Sequence, residues 1–329
     1  MRSPLLVPGR AVMLAAAGIV AVCAAASLSA TPALAGSVAP TGAVLASASQ
    51  VNAPLSGHQV VGARYGAAAV RAAGAAAADF RQAAKDRFSA AGGAPGHSPA
   101  ATVLHRWWGS FPDAQAGTGL MATQSVSSTF RLSHSGDVLY APTMDPPENS
   151  CIEVVTVHNH KVAQVWAWDW CSTIAPAAIV SMNASFLATY TTTVNGQPAY
   201  TVKDVQTSTS PNTWTAYLFN QTTQAWDTLF TSSGNSQTGL PYGWDMFEFY
   251  SGLNTATGHT DVCDDLAKSG ITITSTSLQV LNGTTWHPAT AADSPWRPSA
   301  QPHPSNYKCP NIHFTTLVPT SAWSVNVSP

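Results

Sequence analysis

The sequence predicts an all-β fold for residues 102–329, in the form of a two-sheet antiparallel β-sandwich of the jelly-roll or concanavalin-like type. Short runs of alternating polar and apolar residues recur there, separated by turn residues, as is typical of strands with one buried face. All eleven tryptophans lie in this region, and no stretch of it keeps a 3.6-residue apolar period. Its length of about 228 residues is sufficient for one large core.

Turn sequences between apolar runs predict where the hairpins lie. The Asn-Gly pair at residues 282–283 stands between two short apolar runs and is the strongest hairpin signal in the chain. A Gln-Thr-Thr-Gln turn at residues 221–224 predicts a second hairpin. The remaining predicted strands are 152–170 (a hairpin that turns near residues 158–161), Phe186–Thr193 and Ala199–Val205.

Composition divides the chain into three parts. Residues 1–35 combine arginines with an apolar run and end in Ala-Leu-Ala, which predicts a secretory signal peptide. Residues 36–101 are rich in alanine, and the stretch 62–90 predicts one helix. This segment carries five basic and two acidic residues, whereas residues 102–329 carry seven basic and fourteen acidic ones. The opposite charges favour a pro-segment that docks on the third part, although a cell-wall linker is an equal alternative.

The chain is poor in charge, and this excludes several classes of protein. Charged residues make up 9% of the sequence, where about 25% is usual. A nucleic-acid-binding protein would need clustered Lys and Arg, so we expect no nucleic-acid partner. After signal cleavage no apolar run is long enough to cross a membrane. We therefore expect a secreted, extracellular monomer.

Four cysteines follow the predicted signal peptide, and an even number in an exported protein indicates disulfides. Cys151 and Cys171 stand at the open end of a predicted hairpin, which favours pairing them with each other and Cys263 with Cys309. Their spacing does not match that of a zinc site. The pair of histidines at 158 and 160 offers no third ligand, so we expect no metal and no cofactor.

Three tryptophans alternate along one predicted strand. Trp166, Trp168 and Trp170 therefore point to the same face, which Gln164 shares. An exposed aromatic row would suit a sugar ring or an extended peptide, so Trp166 and Trp168 are candidate substrate-binding residues. The alternative is that the three rings fill the core of the sandwich.

A second aromatic segment contains one of only three glutamates in the sequence. As a strand, residues 243–250 place Trp244, Glu248 and Tyr250 on one face and Phe247 and Phe249 on the other. A glutamate among aromatic side chains is a frequent general acid or base, with Trp244 and Tyr250 as candidate substrate contacts. The alternative is a solvated surface glutamate.

Several segments, taken in order, resemble strands of the glutamic peptidases of the eqolisin type. Phe247-Glu248-Phe249 is similar to the segment that holds the catalytic glutamate of that family. The other segments that resemble the family, in chain order, are 108–109 (Trp-Gly), 126–130 (VSSTF), 165–170 (VWAWDW), 196–204 (GQPAYTVKD) and 214–223 (WTAYLFNQTT).

The resemblance implies a β-sandwich with a groove on one sheet, where a glutamate activates water and a glutamine stabilises the tetrahedral intermediate at acid pH. It also implies a basic pro-segment. Glu248 takes the place of the catalytic glutamate. The sequence has no clear counterpart of the glutamine; Glu153 occupies its place in chain order, and Gln164 is the other candidate. If Glu153 and Glu248 face each other, the two carboxyl groups would share a proton and could serve in peptide or glycoside hydrolysis.

Two ligand-binding functions from different classes follow from these patterns, and a structural or cell-surface protein with no pocket is the third possibility. The first is a secreted acid-acting endopeptidase, in which Glu248 activates water on an extended peptide. The second is a non-catalytic, polysaccharide-binding sandwich that uses exposed tryptophan rows. The two differ in whether the glutamates or the tryptophan rings contact the ligand.

Overall fold

Two largely antiparallel β-sheets pack face to face in the computed structural model, which describes residues 48–78, 80–82, 103–113, 117–294 and 302–329. The all-β sandwich predicted from the sequence is therefore confirmed. The predicted signal peptide, residues 1–35, lies outside the described residues. Within the described ranges, no helix is both long enough and apolar enough to cross a membrane.

The larger sheet has ten strands. With strands numbered in chain order, they are β1 (Leu55–Gln59), β4 (Gly119–Ser125), β9 (Thr191–Val194), β10 (Gln197–Thr209), β11 (Asn212–Asn220), β12 (Ala225–Ser233), β14 (Thr272–Asn282), β15 (Thr285–Pro288), β16 (Ile312–Val318) and β17 (Ala322–Val327). Their order across the sheet is β1-β12-β11-β10-β4-β14-β17-β16, with β9 paired to β10 and β15 paired to β14.

The smaller sheet has seven strands and carries the candidate site. Its strands are β2 (Arg64–Tyr65), β3 (Leu104–Ser110), β5 (Val138–Asp145), β6 (Ile152–His158), β7 (Ala163–Asp169), β8 (Ala175–Ser181) and β13 (Trp244–Ser251). Their order is β2-β8-β7-β6-β5-β13-β3, so β3 lies at one edge, next to β13.

Alternation along the strands builds the core between the two sheets. Val154 on β6 and Val202 on β10 belong to one fully buried cluster that includes residues of both sheets. Phe247 and Phe249 on β13 belong to a second cluster, together with Trp323 of the larger sheet. Each strand of the smaller sheet therefore turns its other residues outward, away from the larger sheet.

The hairpins predicted from turn sequences are present. Strands β6 and β7 pair around residues 159–162, and β11 pairs with β12 around residues 221–224. Asn282 pairs with Thr285 across the Asn-Gly turn, which joins β14 to β15. Each of these turns connects consecutive strands, so local sequence alone determined the prediction.

The described helices are short: α1 (Ala48–Val51), α2 (Ala67–Ala73), α3 (Ala184–Tyr190) and α4 (Asp261–Ser269), with a 3-10 turn at Pro304–Tyr307. The prediction of a strand over Phe186–Thr193 was wrong for its first part, which is α3. The side chain of Asn183 caps this helix by accepting a hydrogen bond from the Phe186 amide. Phe186 and Tyr190, four residues apart, bury the same helix face.

The described part of the alanine-rich segment is built into both sheets. Strand β1 pairs in parallel with β12, where the Ser56 hydroxyl also donates to Asp227. Strand β2 pairs with β8 at the edge of the smaller sheet. The predicted single helix over residues 62–90 was wrong within its described residues. Residues 64–65 form β2, and Gly74, with a φ of 57°, separates α2 from a second helical stretch at 75–78 and 80–82.

Two disulfides stabilise the sandwich. Cys151 is bonded to Cys171 at the open end of the β6–β7 hairpin, as the sequence favours. Cys263 in α4 is bonded to Cys309, just after the 3-10 turn. The second bond fastens α4 to the segment that leads into β16.

Candidate active site on the outer face of the smaller sheet

Glu248 lies on the outer face of the smaller sheet, near its β3 edge. Because Phe247 and Phe249 point into the core, the period of two along β13 turns Glu248 and Tyr250 outward. This is the face that the sequence predicts. Glu248 is not a solvated surface residue, however, because none of its surface is exposed.

Among the described residues, the side chains of Tyr250 and His105 contact the carboxylate of Glu248. The Tyr250 hydroxyl donates a hydrogen bond to its Oε1 atom at 3.0 Å, and the Nε2 atom of His105 lies 2.7 Å from the same oxygen. The His105 ring stacks on the Tyr250 ring with centroids 4.0 Å apart and planes 10° from parallel. The imidazole is therefore held in one orientation beside the carboxylate.

His105 is a functional candidate that the sequence did not reveal. It lies on β3 directly opposite Tyr250 of β13, although 143 residues separate it from Glu248. Gly109 allows this close pairing, since a Cβ at that position would collide with the backbone oxygen of Asp245. The side chain of His105 is 16% exposed, so it connects buried Glu248 with solvent.

Trp107 marks the solvent side of this cluster. Its ring lies 4.7 Å from that of His105 and is 41% exposed. Glu248 provides a proton acceptor here, and His105 and Tyr250 provide hydrogen-bond donors beside it. The exposed ring of Trp107 adds an apolar surface next to His105. Such a set is suited to general acid–base chemistry.

Glu153 is buried in a separate environment on the same face. Its carboxylate accepts hydrogen bonds from the Thr143 hydroxyl at 2.6 Å, from Trp244 Nε1 at 3.0 Å and from Trp170 Nε1 at 3.2 Å. Trp244, a predicted substrate contact, is thus bonded to Glu153 and buried. Hydrogen bonds from these three described side chains satisfy the buried carboxyl group of Glu153.

The sheet does not bring Glu153 and Glu248 together. Glu248 pairs with Tyr140, and Tyr140 with Val157, so Glu153 lies two strands across and four residues along from Glu248. Strand spacing and rise then give about 16 Å between the two Cα atoms. The two carboxylates have different hydrogen-bond partners and are too far apart to share one water.

Gln164 is also remote from Glu248. It lies in the same cross-strand row, beyond Tyr140 and Val157, which puts its backbone three strands or about 14 Å away. Its Oε1 atom accepts a hydrogen bond from Trp166 Nε1 at 2.8 Å. In this conformation, neither sequence candidate for the glutamine role of the glutamic peptidases is within reach of Glu248.

The tryptophan row lies on the outer face and is covered by the N-terminal segment. Trp166, Trp168 and Trp170 do share one face, as predicted, but they lie outside the core between the sheets. All three are buried together with four alanines of the helical segment 67–78 and with Phe80. The exposed aromatic row that polysaccharide binding requires is absent from the described residues.

Possible metal ligands lie close together at one place among the described residues. One group of donor atoms among the described residues is formed by His259, Cys263 and Asp264. Cys263 is bonded to Cys309 and so has no thiolate to offer. His158 is buried at the end of β6, and burial lowers its pKa to about 4.

Comparison with known proteins gives a distant likeness. No protein-family model matches the sequence, and no curated protein matches it. Among solved structures, scytalido-glutamic peptidase is similar in two crystal structures, one with a peptide-based transition-state analogue and one with a transition-state analogue inhibitor. In both cases the TM-score is 0.39 and the identity 13%, over 69% of this chain and 100% of the other. At this level the likeness is distant, and the function proposed below rests on the residues of this chain.

Proposed function

We propose that this protein is an exported hydrolase that acts on peptide bonds, with Glu248 as the general base. The observation that carries the proposal is the buried Glu248 carboxylate, held on one oxygen by Tyr250 and His105. A buried carboxylate beside an imidazole that reaches solvent is a costly arrangement, and such arrangements cluster at functional sites. The resemblance of residues 247–249 to the glutamic peptidases supports the same assignment.

The proposed reaction uses only groups of this chain and water. Glu248 accepts a proton from a water molecule, and the resulting hydroxide attacks the carbonyl carbon of the peptide bond to form a tetrahedral oxyanion. When the oxyanion collapses, the C–N bond breaks and the protonated Glu248 returns its proton to the leaving amine. The products are a carboxylic acid and an amine, and Glu248 is ionised again.

His105 orients the base in this scheme. With a proton on Nε2, its imidazole donates to Glu248 Oε1, and stacking on Tyr250 fixes its plane. When both ring nitrogens carry a proton, the positive charge of the imidazolium stabilises the ionised carboxylate that it contacts. We therefore assign His105 as a positioning residue.

The segment of residues 48–82 is proposed to act as the covering part of a precursor. Tyr140 and Trp166 lie beneath its helical part, and Glu248 shares their face of the sheet. Access for a polypeptide to the full length of this face requires that the helical part move away or be cut. The net positive charge of residues 36–101 and the negative charge of residues 102–329 favour the covered state near neutral pH.

The proposal is tested by proteolysis with a matched glutamate control. The secreted chain is incubated with a denatured protein substrate from pH 2 to 7, and its N-terminus is determined by mass spectrometry. We expect cleavage at acid pH that Glu248→Gln reduces by at least about 100-fold. Glu148→Gln, on an exposed loop, should leave the rate unchanged. A folded, processed chain that cleaves nothing across this range would contradict the proposal.

A further inference from the structure

Phe80 fills a cage of aromatic rings on the outer face of the smaller sheet. Its ring centroid lies 4.2 Å from that of Trp168 and 4.7 Å from that of Tyr140, which it meets nearly edge-on at 75°. Trp170 and Trp166 complete the cage at 6.2 and 6.4 Å. Phe80 is 1% exposed, so one side chain of the N-terminal segment is enclosed by four rings.

Small residues allow this single ring to enter. The two helical stretches on either side of Gly74 bury alanines 69 and 73, and alanines 76 and 77, against the same face. Alanine side chains keep the helix backbone close to the sheet. Among the described residues of these two stretches, Phe80 is therefore the one large side chain buried in this cluster.

The cage is held by bonds that do not involve Phe80. Trp166 donates to Gln164, and Trp170 donates to Glu153, so both indoles are fixed by their own sheet. The cage would keep its shape after the N-terminal segment leaves, which is the property of a preformed binding site.

Trp168 supplies a second, independent indication of a ligand. Its indole Nε1 is buried and has no hydrogen-bond acceptor in the part of the chain that the structure describes. A buried N–H without an acceptor is unfavourable, and a ligand carbonyl could accept from it. The site therefore offers an aromatic cage together with one unused donor.

We infer that Tyr140, Trp166, Trp168 and Trp170 form a recognition site for one aromatic side chain of a peptide, which Phe80 occupies in the covered state. This inference rests on the proposed function only in taking the face to be where a peptide binds. A flat ring has an electron-rich face and an electron-poor edge, and Phe80 lies tilted by 36° against Trp168 while it meets Tyr140 nearly edge-on. A saturated ring of the same size lacks this complementarity.

The first test empties the cage in the full chain with Phe80→Ala. N-acetyl-phenylalaninamide and N-acetyl-cyclohexylalaninamide, which carry the same carbonyls, are titrated while the melting temperature is recorded. We expect the aromatic amide to bind Phe80→Ala at least about fivefold more tightly than the saturated one.

The control is Phe186→Ala, which opens a cavity of equal size beneath α3. Phe186 is also 1% exposed, and its ring lies beside those of Tyr190 in α3 and Tyr200 in β10 of the larger sheet. We expect it to discriminate between the two amides by less than about twofold. Equal affinities for the two amides in Phe80→Ala, or equal discrimination by both variants, would overturn the inference.

A second variant serves if Phe80→Ala does not fold. Phe80→Leu keeps an apolar side chain but removes the ring, so the helical segment should open more often and be cut by a protease at least about tenfold faster. Phe186→Leu should leave the cleavage rate of this segment unchanged. An unchanged rate in Phe80→Leu would contradict aromatic recognition.

Failure of this inference can be distinguished from failure of the proposed function. The titration is repeated in the double variant Phe80→Ala, Glu248→Gln, which binds without turnover. Aromatic preference there, combined with absence of hydrolysis in the chain that keeps Glu248, contradicts only the hydrolase. Hydrolysis that depends on Glu248, without aromatic preference, contradicts only the recognition site.

Discussion

The Nε2 atom of His105 lies 2.7 Å from Oε1 of Glu248, although β3 and β13 come from distant parts of the chain. The pair stands near the edge of the smaller sheet, and part of the outer face of that sheet is buried under the helical residues 67–78 and Phe80. Of the two buried glutamates on this face, Glu248 is the one whose contacts with described residues include an imidazole. The contact with His105 therefore distinguishes Glu248 from Glu153 as the candidate general base.

Removal of the imidazole should weaken hydrolysis and change its pH dependence. His105→Ala removes the imidazole from Glu248 Oε1 and leaves the hydrogen bond from the Tyr250 hydroxyl in place. With one hydrogen bond fewer to the ionised carboxylate, the acid limb of the pH–rate profile should move to higher pH, and kcat should fall by about 100-fold. His105→Gln, which can donate from a similar position, should restore part of the rate. The control is His313→Ala, which replaces an exposed histidine on β16. A pH–rate profile that His105→Ala leaves unchanged would contradict the role of His105.

Asp245 should make the protein less stable as the pH rises from about 4 to about 6. It is buried on the inner side of β13, where desolvation raises its pKa to about 6 against hydrogen bonds from Ser275 and Trp323. A carboxyl group whose pKa is raised in the folded state keeps its proton while the unfolded chain ionises, so stability is lost between 3.8 and about 6. At about 1.4 kcal/mol per unit, the loss is about 3 kcal/mol.

Asp245→Asn tests this dependence, because asparagine resembles the protonated side chain and does not titrate. Urea unfolding at pH 4 and at pH 7 gives the free energy of unfolding for both chains. The free energy of unfolding of Asp245→Asn minus that of the wild type should be about 3 kcal/mol larger at pH 7 than at pH 4. The same difference at both pH values would show that Asp245 titrates normally.

His158 should act in the opposite direction over nearly the same range. Burial lowers its pKa to about 4 from 6.5. The folded state therefore keeps the neutral ring while the unfolded chain takes up a proton, so the contribution is fully present above pH 6.5 and is lost as the pH falls to about 4. The loss is about 3 kcal/mol. Replacement of His158 by Gln should remove it, as measured by urea unfolding at pH 7 and pH 4; a wild-type-like pH dependence in the variant would be the contrary result.

The disulfides should differ in their contribution to stability because they close loops of different length. The bond between Cys151 and Cys171 spans 20 residues, and that between Cys263 and Cys309 spans 46. Loop-closure entropy gives about 3 kcal/mol for the shorter loop and about 4 kcal/mol for the longer one. Double alanine variants of each pair, unfolded in urea, should show this order. A larger loss for the shorter loop would indicate that native packing around the cysteines dominates.

Local patterns were sufficient to predict much of the fold and part of the site. The period of two places Glu248 outward and Phe247 inward, and it puts Trp166 and Trp168 on one face, because side-chain direction along a strand depends on neighbours in sequence. Turn residues located the hairpins for the same reason. The prediction of a strand at residues 186–190 was wrong. Aromatic and β-branched residues there suit a strand, whereas the Asn183 cap and the burial of Phe186 favour α3.

Contacts between distant segments could not be predicted. His105 reaches Glu248 through strand pairing across 143 residues, and Ser56 reaches Asp227 across 171. No local pattern encodes which strands become neighbours. The sequence likewise predicts a basic segment that docks, but it does not indicate that Phe80 enters the tryptophan row. Glu153 and Glu248 were both noted as rare carboxylates, and only the register of β13, β5 and β6 separates them.

The most direct test of Glu248 as the general base compares three variants, Glu248→Gln, Glu153→Gln and Glu148→Gln. Each is assayed for hydrolysis of one peptide substrate at acid pH, after its fold is checked by circular dichroism. The account predicts a loss of at least about 100-fold in Glu248→Gln, a change of less than about tenfold in Glu153→Gln, and no change in Glu148→Gln. Equal losses in the first two would indicate a shared carboxylate pair, and full activity in Glu248→Gln would contradict the assignment of Glu248 as the base.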